Sequence, residues 1–193
     1  MADEMSYKAI MEMVKEKADE EVDYLKKKFE DFKENDFVDE KELNDSRLFS
    51  KVVRITGEIV KNDDTHKKIK SCKGIYIFRL INKIKVNYFD FNKTSYGSPL
   101  KYKHMKLKSI PAKACLYVGK SDNFYSRMKT HFGNPEGTTG GLRITDFYRT
   151  KLKDNVVCYC FVMKPSLKPL YEILARTIER KLNDKLDSYI GNK

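Results

Sequence analysis

Five side chains with complementary chemistry stand out in the 193-residue sequence. They are two phenols, a guanidinium, an imidazole and a carboxylate: Tyr76, Tyr117, Arg127, His131 and Glu172. A phenol or an imidazole can transfer a proton, a guanidinium pairs with phosphate oxygens through its planar fork, and a carboxylate can hold a divalent cation. Hydrolysis of a phosphodiester uses all three abilities, because a water must be deprotonated and the charge that develops on the phosphate must be neutralised.

The two tyrosines fall in segments whose composition predicts β-strands. Tyr76 lies in an apolar, β-branched and aromatic run at residues 74–81, and Tyr117 lies in a shorter run at residues 114–118. A third run of the same kind occupies residues 156–163. Each tyrosine taken alone has a simpler explanation, since tyrosines in strands usually serve packing.

A helix is predicted between the second and third of these strands. Ser121 or Asp122 can cap its start, and the apolar pattern ends near Phe132. Arg127 and His131 are four residues apart within it, so we expect them on one helical face.

The order and spacing of these residues resemble the GIY-YIG nuclease superfamily, which includes homing endonucleases, certain restriction enzymes and the nuclease subunit of bacterial excision repair. The resemblance covers roughly residues 72–188, with Val118 in place of the Ile of YIG. Either short motif alone is weak, whereas their ordered conjunction is specific. The positions that match the family are Tyr76, Tyr117, Lys120, Arg127, His131, Glu172 and Asn183.

The resemblance implies a fold, an activity and a cofactor. It implies an α+β domain with a small three-stranded antiparallel sheet flanked by helices, and an endonuclease that cleaves DNA with Mg²⁺ or Mn²⁺. The seven matching residues would form the catalytic set, with Glu172 as the metal ligand. Lys120, Arg127 and the metal would lower the pKa of a catalytic tyrosine, and His131 would relay its proton.

The metal ligand has a competitor on the same helix, which we expect at residues 169–188. Glu172 and Glu179 share a polar stripe opposite the apolar face, as on any surface helix. The eleven-residue offset from Glu172 to Asn183 fits the family, and on that basis Glu172 is preferred. Glu179 remains the alternative.

Charge is distributed unevenly along the chain. Residues 1–47 hold 9 basic and 16 acidic side chains, whereas residues 48–193 hold 30 basic and 12 acidic ones. A body this basic should attract a polyanion, because neutralising phosphates releases condensed counterions. Charge alone does not separate DNA from RNA or from an anionic membrane, and the resemblance implies double-stranded DNA as the partner.

The separation of the two tyrosine motifs exceeds that of many family members because residues 82–113 form an insertion. Lysines alternate there with aromatic residues, which suits either a DNA-gripping surface or a long solvated excursion. The glycine-rich segment 133–141 is a second candidate for DNA contact. The side chains predicted to bind DNA are Lys101, Lys103, Lys106, Lys108, Lys129 and Arg143.

An amphipathic helix is predicted at residues 5–34, in a helical extension at 1–50 that precedes a nuclease domain at 51–193. The helix either packs on the body, pairs with a second copy in a homodimer, or shields the basic surface. Residues 35–50 are expected to form a polar connector with at most a short helix, followed by a strand near 51–60.

No apolar run reaches the roughly 20 residues that span a bilayer, and the N-terminus lacks a secretory layout. We therefore expect a cytoplasmic protein of prokaryotic or phage origin without a membrane partner. Two other functions stay open at this stage. One is a non-catalytic nucleic-acid-binding module that uses the same fold, and the other is an assembly protein dominated by its N-terminal helix.

Overall fold

The computed structural model describes residues 7–32, 40–56, 69–85, 109–132 and 155–189. Its helices are α1 (Tyr7–Asp31), α2 (Phe124–Phe132) and α3 (Tyr171–Lys185), and a 3-10 helix (Pro165–Leu170) leads into α3. Its strands are β1 (Glu40–Glu42), β2 (Phe49–Ile55), β3 (Gly74–Leu80), β4 (Ile84–Lys85), β5 (Ser109–Ile110), β6 (Cys115–Ser121) and β7 (Val156–Met163).

Five of the strands form one antiparallel sheet in the order β1-β2-β7-β3-β6. The predicted α+β class with an antiparallel sheet is confirmed, but the predicted number of three strands is wrong. β1 escaped prediction because its sequence, Glu-Lys-Glu, is fully exposed and carries no apolar alternation. β2 begins at Phe49, inside the expected connector, so the division expected at residue 50 falls within a strand.

The two central strands explain how one sheet serves two cores. Every residue of β3 and β7 is buried, because helices cover both faces. Side chains of a strand alternate between faces, so Ile75 and Ile77 enter the core beside α1 and α3. Tyr76 and Phe78 enter the core beside α2.

Helix α1 is part of the first core. Its buried side chains recur at helical spacing and include Val14, Ala18, Val22 and Leu25. Its acidic flank pairs with basic residues of α3 through Asp19–Lys181 and Asp23–Lys185. Of the alternatives that the sequence left open for this helix, packing on the body is therefore observed.

Two buried charged groups lock α1 in place. The Glu21 carboxylate accepts hydrogen bonds from Ser46 Oγ at 2.9 Å and from the backbone N–H groups of Arg47 and Leu48 at 2.7 and 3.0 Å. At the other end, Arg79 of β3 donates to the Phe29 and Phe32 carbonyls at 3.0 and 2.6 Å. These carbonyls end the helix, so the guanidinium satisfies acceptors that lack an intrahelical donor.

The helix starts differ in detail from their predictions. Asn123, and not Ser121 or Asp122, caps α2, since its Oδ1 accepts the Ser126 N–H at 3.0 Å. The final helix begins at Tyr171, because the preceding turn is a 3-10 helix. None of the helices in the described part of the chain has the length and apolar character needed to cross a bilayer.

The insertion is described only at its ends, where β4 and β5 pair antiparallel. Several predictions lie outside the described residues: the strand's continuation to residue 60, the glycine-rich segment 133–141 and a helix expected at 146–153. So do five of the predicted DNA-binding side chains, namely Lys101, Lys103, Lys106, Lys108 and Arg143.

Candidate active site at the β6 edge

Strand β6 is the terminal strand of the described sheet, and the candidate site is arranged around it. Helix α2 lies on one side of the sheet and contributes Arg127 and His131. Helix α3 lies on the other side and contributes Glu172 and Glu179. Residues that are far apart in sequence therefore face one another across a single strand.

A hydrogen-bonded triad links β3 to α2. Tyr76 Oη lies 2.9 Å from Arg127 Nε and 2.9 Å from His131 Nε2. A guanidinium can only donate, so the Tyr76 oxygen accepts from Arg127. The Tyr76 hydroxyl and His131 Nε2 share the second hydrogen bond, and the imidazole tautomer sets which of them donates.

Burial sets the protonation states of this triad. Tyr76 has no exposed surface and His131 is 1% exposed. Burial raises the pKa of Tyr76 well above its ordinary value, with a further increase from Tyr117 that Arg127 opposes. Burial, assisted by the Arg127 charge, lowers the pKa of His131 well below 6.5. The imidazole is therefore neutral at neutral pH.

The expected lowering of the phenol pKa is wrong for Tyr76. Sequence reasoning counted the neighbouring cations correctly, since Arg127 does act in the expected direction. It could not weigh them against complete desolvation, which is the larger effect here. Tyr76 thus organises Arg127 and His131 from beneath and has no surface of its own to offer a substrate.

Tyr117 is the phenol that reaches the surface. It is half-buried, and its interaction with the Arg127 guanidinium helps to raise the pKa of Arg127. Its ring centroid lies 6.0 Å from that of Tyr76 and 5.5 Å from that of His131. The same guanidinium therefore connects a buried tyrosine with an accessible one.

Gly119 is needed for this packing because Tyr76 lies directly against its backbone. A Cβ at this position would come within 2.2 Å of Tyr76 Oη and 2.3 Å of its Cζ. Any larger residue would push the phenol away from Arg127 and His131. The Gly of the family-like motif thus has a local physical reason in this chain.

The two candidate carboxylates of α3 have different surroundings. Glu172 lies in the first turn, where its side chain is 54% exposed and its two oxygens are 2.9 and 3.2 Å from Lys120 Nζ. The hydrogen bond from Lys120, with the charges of Arg176 and Lys73, lowers the pKa of Glu172.

Glu179 lies two helical turns further along and is half-buried. Its carboxylate lies within the electrostatic influence of Lys120, Arg127 and Arg176, each of which acts to lower its pKa. Burial nevertheless raises the pKa of Glu179 above its ordinary value. Of the two carboxylates, Glu179 is the one whose pKa is influenced by the charge of Arg127. The shared polar stripe could not reveal this, because it gives the direction around the helix and not the turn that meets β6.

Asn183 joins α3 to β6. Its Nδ2 donates to the Glu179 carbonyl at 3.0 Å and the Val118 carbonyl at 3.4 Å, and its Oδ1 accepts from Ser188 Oγ at 2.6 Å. These bonds fix the end of the helix against the strand. The structure thus gives this predicted catalytic residue a positioning contact.

Lys129 is the one predicted DNA-binding side chain within the described ranges. Its Nζ lies 5.5 Å from the centroid of the Tyr125 ring, one turn earlier on α2. The ammonium is partly exposed, and it is compatible with a phosphate contact beside Arg127.

No protein-family model matches this chain, and comparison with curated proteins and with solved structures gives no match. The resemblance to GIY-YIG nucleases therefore rests on the residue pattern and on the convergence of the matching side chains around β6.

Proposed function

We propose that this chain is a metal-dependent endonuclease of the GIY-YIG type that hydrolyses phosphodiester bonds of double-stranded DNA. One observation carries the proposal: Tyr76 holds Arg127 by a hydrogen bond at 2.9 Å, and Arg127 lies within electrostatic range of both the accessible Tyr117 and the Glu179 carboxylate. A phosphate-binding cation, a surface phenol and a carboxylate thus meet at one strand edge. The strongly basic composition of residues 48–193 supports a polyanionic substrate.

Each residue has a role that its surroundings permit. Arg127 binds a non-bridging phosphate oxygen, since its Nε is oriented by Tyr76 and its side chain is partly exposed. Tyr117 aligns the attacking water through its hydroxyl. Tyr76 and His131 are positioning residues, because both are buried and act through Arg127 and Tyr117.

The proposed metal, Mg²⁺ or Mn²⁺, needs few protein ligands. The described residues contain no group of three His, Cys, Asp or Glu suited to a metal. A single carboxylate fits this chemistry, because Mg²⁺ commonly keeps waters and binds substrate phosphate beside one or two carboxylates. A bound metal would stabilise charge on the phosphate and the departing oxygen.

The electrostatic surroundings of Glu172 and Glu179 support a choice between them as the metal ligand. Glu172 was preferred on its spacing to Asn183, and that assignment stays a prediction. The coupling of Glu179 to Arg127 favours Glu179 as the metal ligand. The two residues are seven positions apart, which is about 10 Å along a helix, so one compact metal site cannot use both.

A plasmid assay tests both the activity and this choice. Purified protein should nick supercoiled plasmid with Mg²⁺ or Mn²⁺ and not with EDTA. We expect Glu179→Gln to lower the rate by about 10² to 10³, as for loss of a group that stabilises the transition state. Glu172→Gln should have an effect of less than about tenfold.

The contrary outcomes are equally informative. Loss of cleavage in Glu172→Gln alone would return the metal to Glu172. Salt-sensitive DNA binding without any metal-dependent cleavage by the wild type would instead assign a non-catalytic binding module. A homodimer would let two sites cut both strands, and sedimentation of the DNA complex would detect it.

A further inference from the structure

Three cations converge on the Glu172 carboxylate from three parts of the fold. Lys120, near the end of β6, places its Nζ 2.9 and 3.2 Å from the two Glu172 oxygens. Arg176 of α3 places its Nη2 3.9 Å from one of them. Lys73, which precedes β3, adds a further favourable charge. Lys73, Lys120 and Arg176 are called the cation cluster below.

This arrangement contributes little to folding. The side chains of Glu172 and Arg176 are 54% and 78% exposed, and Lys73 is exposed as well. Ion pairs in such surroundings are screened and add little stability. By contrast, the Glu21 carboxylate is 3% exposed and ties α1 to the segment before β2.

The cation cluster holds more positive charge than Glu172 can balance. Glu172 shares two of these cations, Lys120 and Arg176, with Glu179, so two carboxylates face three cations. A ligand of equal charge could therefore replace Glu172 without leaving the cluster unpaired. A phosphodiester also has two anionic oxygens, so it can accept hydrogen bonds from the Lys120 ammonium as the Glu172 carboxylate does. Lys73 supplies the third positive charge, and its Nζ lies 5.4 Å from the centroid of the Tyr171 ring, next to Glu172 in sequence.

The position relative to the proposed chemistry is suitable for a flanking phosphate. Glu172 precedes Glu179 by seven residues, about 10 Å along α3 at 1.5 Å per residue. DNA rises about 3.4 Å per nucleotide along the duplex axis, so two phosphates of one strand at this axial separation are roughly three nucleotides apart. A duplex whose axis runs parallel to α3 would therefore place backbone phosphates at both positions.

We propose that the cation cluster is a subsite for a DNA backbone phosphate, and that Glu172 occupies it in the free protein as an internal competitor. The inference deepens the proposed function and rests on DNA being the substrate. On binding, the phosphate replaces the Glu172 carboxylate on Lys120 and Arg176, and Glu172 swings into solvent. Because a phosphate must displace Glu172, this competition would lower the affinity for DNA that makes few contacts more than for DNA that contacts the whole site.

The test is metal-free binding, which separates this subsite from cleavage. Fluorescence anisotropy with a labelled 20-base-pair duplex in EDTA, over a series of salt concentrations, gives the affinity and its salt slope. We expect Glu172→Gln to bind about three- to tenfold more tightly, with a salt slope steeper by about one. Lys120→Gln should bind more weakly than wild type.

Two controls make the comparison specific. Glu20→Gln removes a similarly exposed carboxylate on a different helix, α1, where it pairs with Arg47. This variant should change the affinity little. In the double variant Glu172→Gln/Lys120→Gln the gain should disappear, because the phosphate has lost its main partner.

Three results would overturn the subsite: unchanged or weaker binding by Glu172→Gln, an equal gain in Glu20→Gln, or a gain that survives removal of Lys120. Failure of both wild type and Glu172→Gln to bind the duplex overturns it as well. If the gain is found but no variant cleaves with metal, the subsite stands and the nuclease proposal fails. If cleavage is normal without the gain, the reverse holds.

Discussion

Successive residues of β3 point to opposite faces of the sheet, and the two faces use their buried polar groups differently. On the face beside α1, Arg79 spends its guanidinium on the carbonyls that end the helix. On the face beside α2, Tyr76 turns a comparable hydrogen-bonding capacity toward Arg127 and His131. One guanidinium is anchored by the backbone, and the other is anchored by a side chain and partly exposed.

This contrast shows how one strand can serve stability and chemistry together. Arg79 is buried and donates to backbone carbonyls, so a ligand cannot reach its guanidinium. A group oriented by a side chain can keep donors free at the surface while its own geometry stays fixed. Substitutions on the two faces should therefore separate stability from activity.

The largest expected effect lies on the α2 face. Arg127→Ala should lower the rate of plasmid nicking by about 10² to 10³, because it removes the proposed phosphate contact. Arg180→Ala, an exposed arginine of α3, is the matched control and should retain activity. Equal losses in both variants would show that general positive charge, and not this site, governs the rate.

The opposite arginine should affect stability. Arg79→Met keeps much of the side-chain volume but leaves the Phe29 and Phe32 carbonyls without their donor. We expect a loss of about 1–3 kcal/mol in the free energy of unfolding, measured by urea denaturation. The nicking rate of the folded fraction should stay close to wild type. A rate loss as large as that of Arg127→Ala would break the division between the faces.

The smallest effect is a pH dependence that originates at His131. Its pKa is lowered in the folded protein, so the unfolded chain binds a proton more readily below about pH 6.5. Stability from the neutral imidazole is present above that pH and decreases as the pH falls toward the folded pKa. The contribution cannot exceed about 1.4 kcal/mol per pH unit.

Urea denaturation at pH 7.5 and pH 5.5 measures this contribution. His131→Gln keeps a hydrogen-bond acceptor for Tyr76 but cannot take up the proton, so it should lose less stability on acidification than wild type. An identical pH response in both proteins would mean that the acid sensitivity arises elsewhere.

The sequence predicted those elements whose patterns are strong. The apolar spacing of α1 and the β-branched runs of β3 and β7 gave their positions within a few residues. It missed β1 because an edge strand of alternating charge has no apolar face. It also predicted that a helical extension ends at residue 50, where the expected polar connector meets the next apolar alternation, and the buried core includes residues on both sides of that position.

The site was predictable in its membership more than in its roles. Register brought Tyr117, Arg127 and His131 together, as the structure does. It could not tell that Tyr76 is fully buried, since burial depends on what α2 covers. Nor could it separate Glu172 from Glu179, because that distinction depends on where α3 crosses β6.

The covering of the outer side of β6 has a further consequence. Three of its carbonyls accept hydrogen bonds from α3 and the segment after it: Val118 from the Asn183 amide, Ser121 from the Tyr171 hydroxyl and Cys115 from the Tyr189 N–H. An open strand edge is a template on which sheets of neighbouring molecules can grow. Here part of that template is occupied within the molecule, and β1 at the opposite edge presents like-charged glutamates around a lysine. The contacts that shape the candidate site therefore also leave fewer backbone groups of this edge open to a neighbouring molecule.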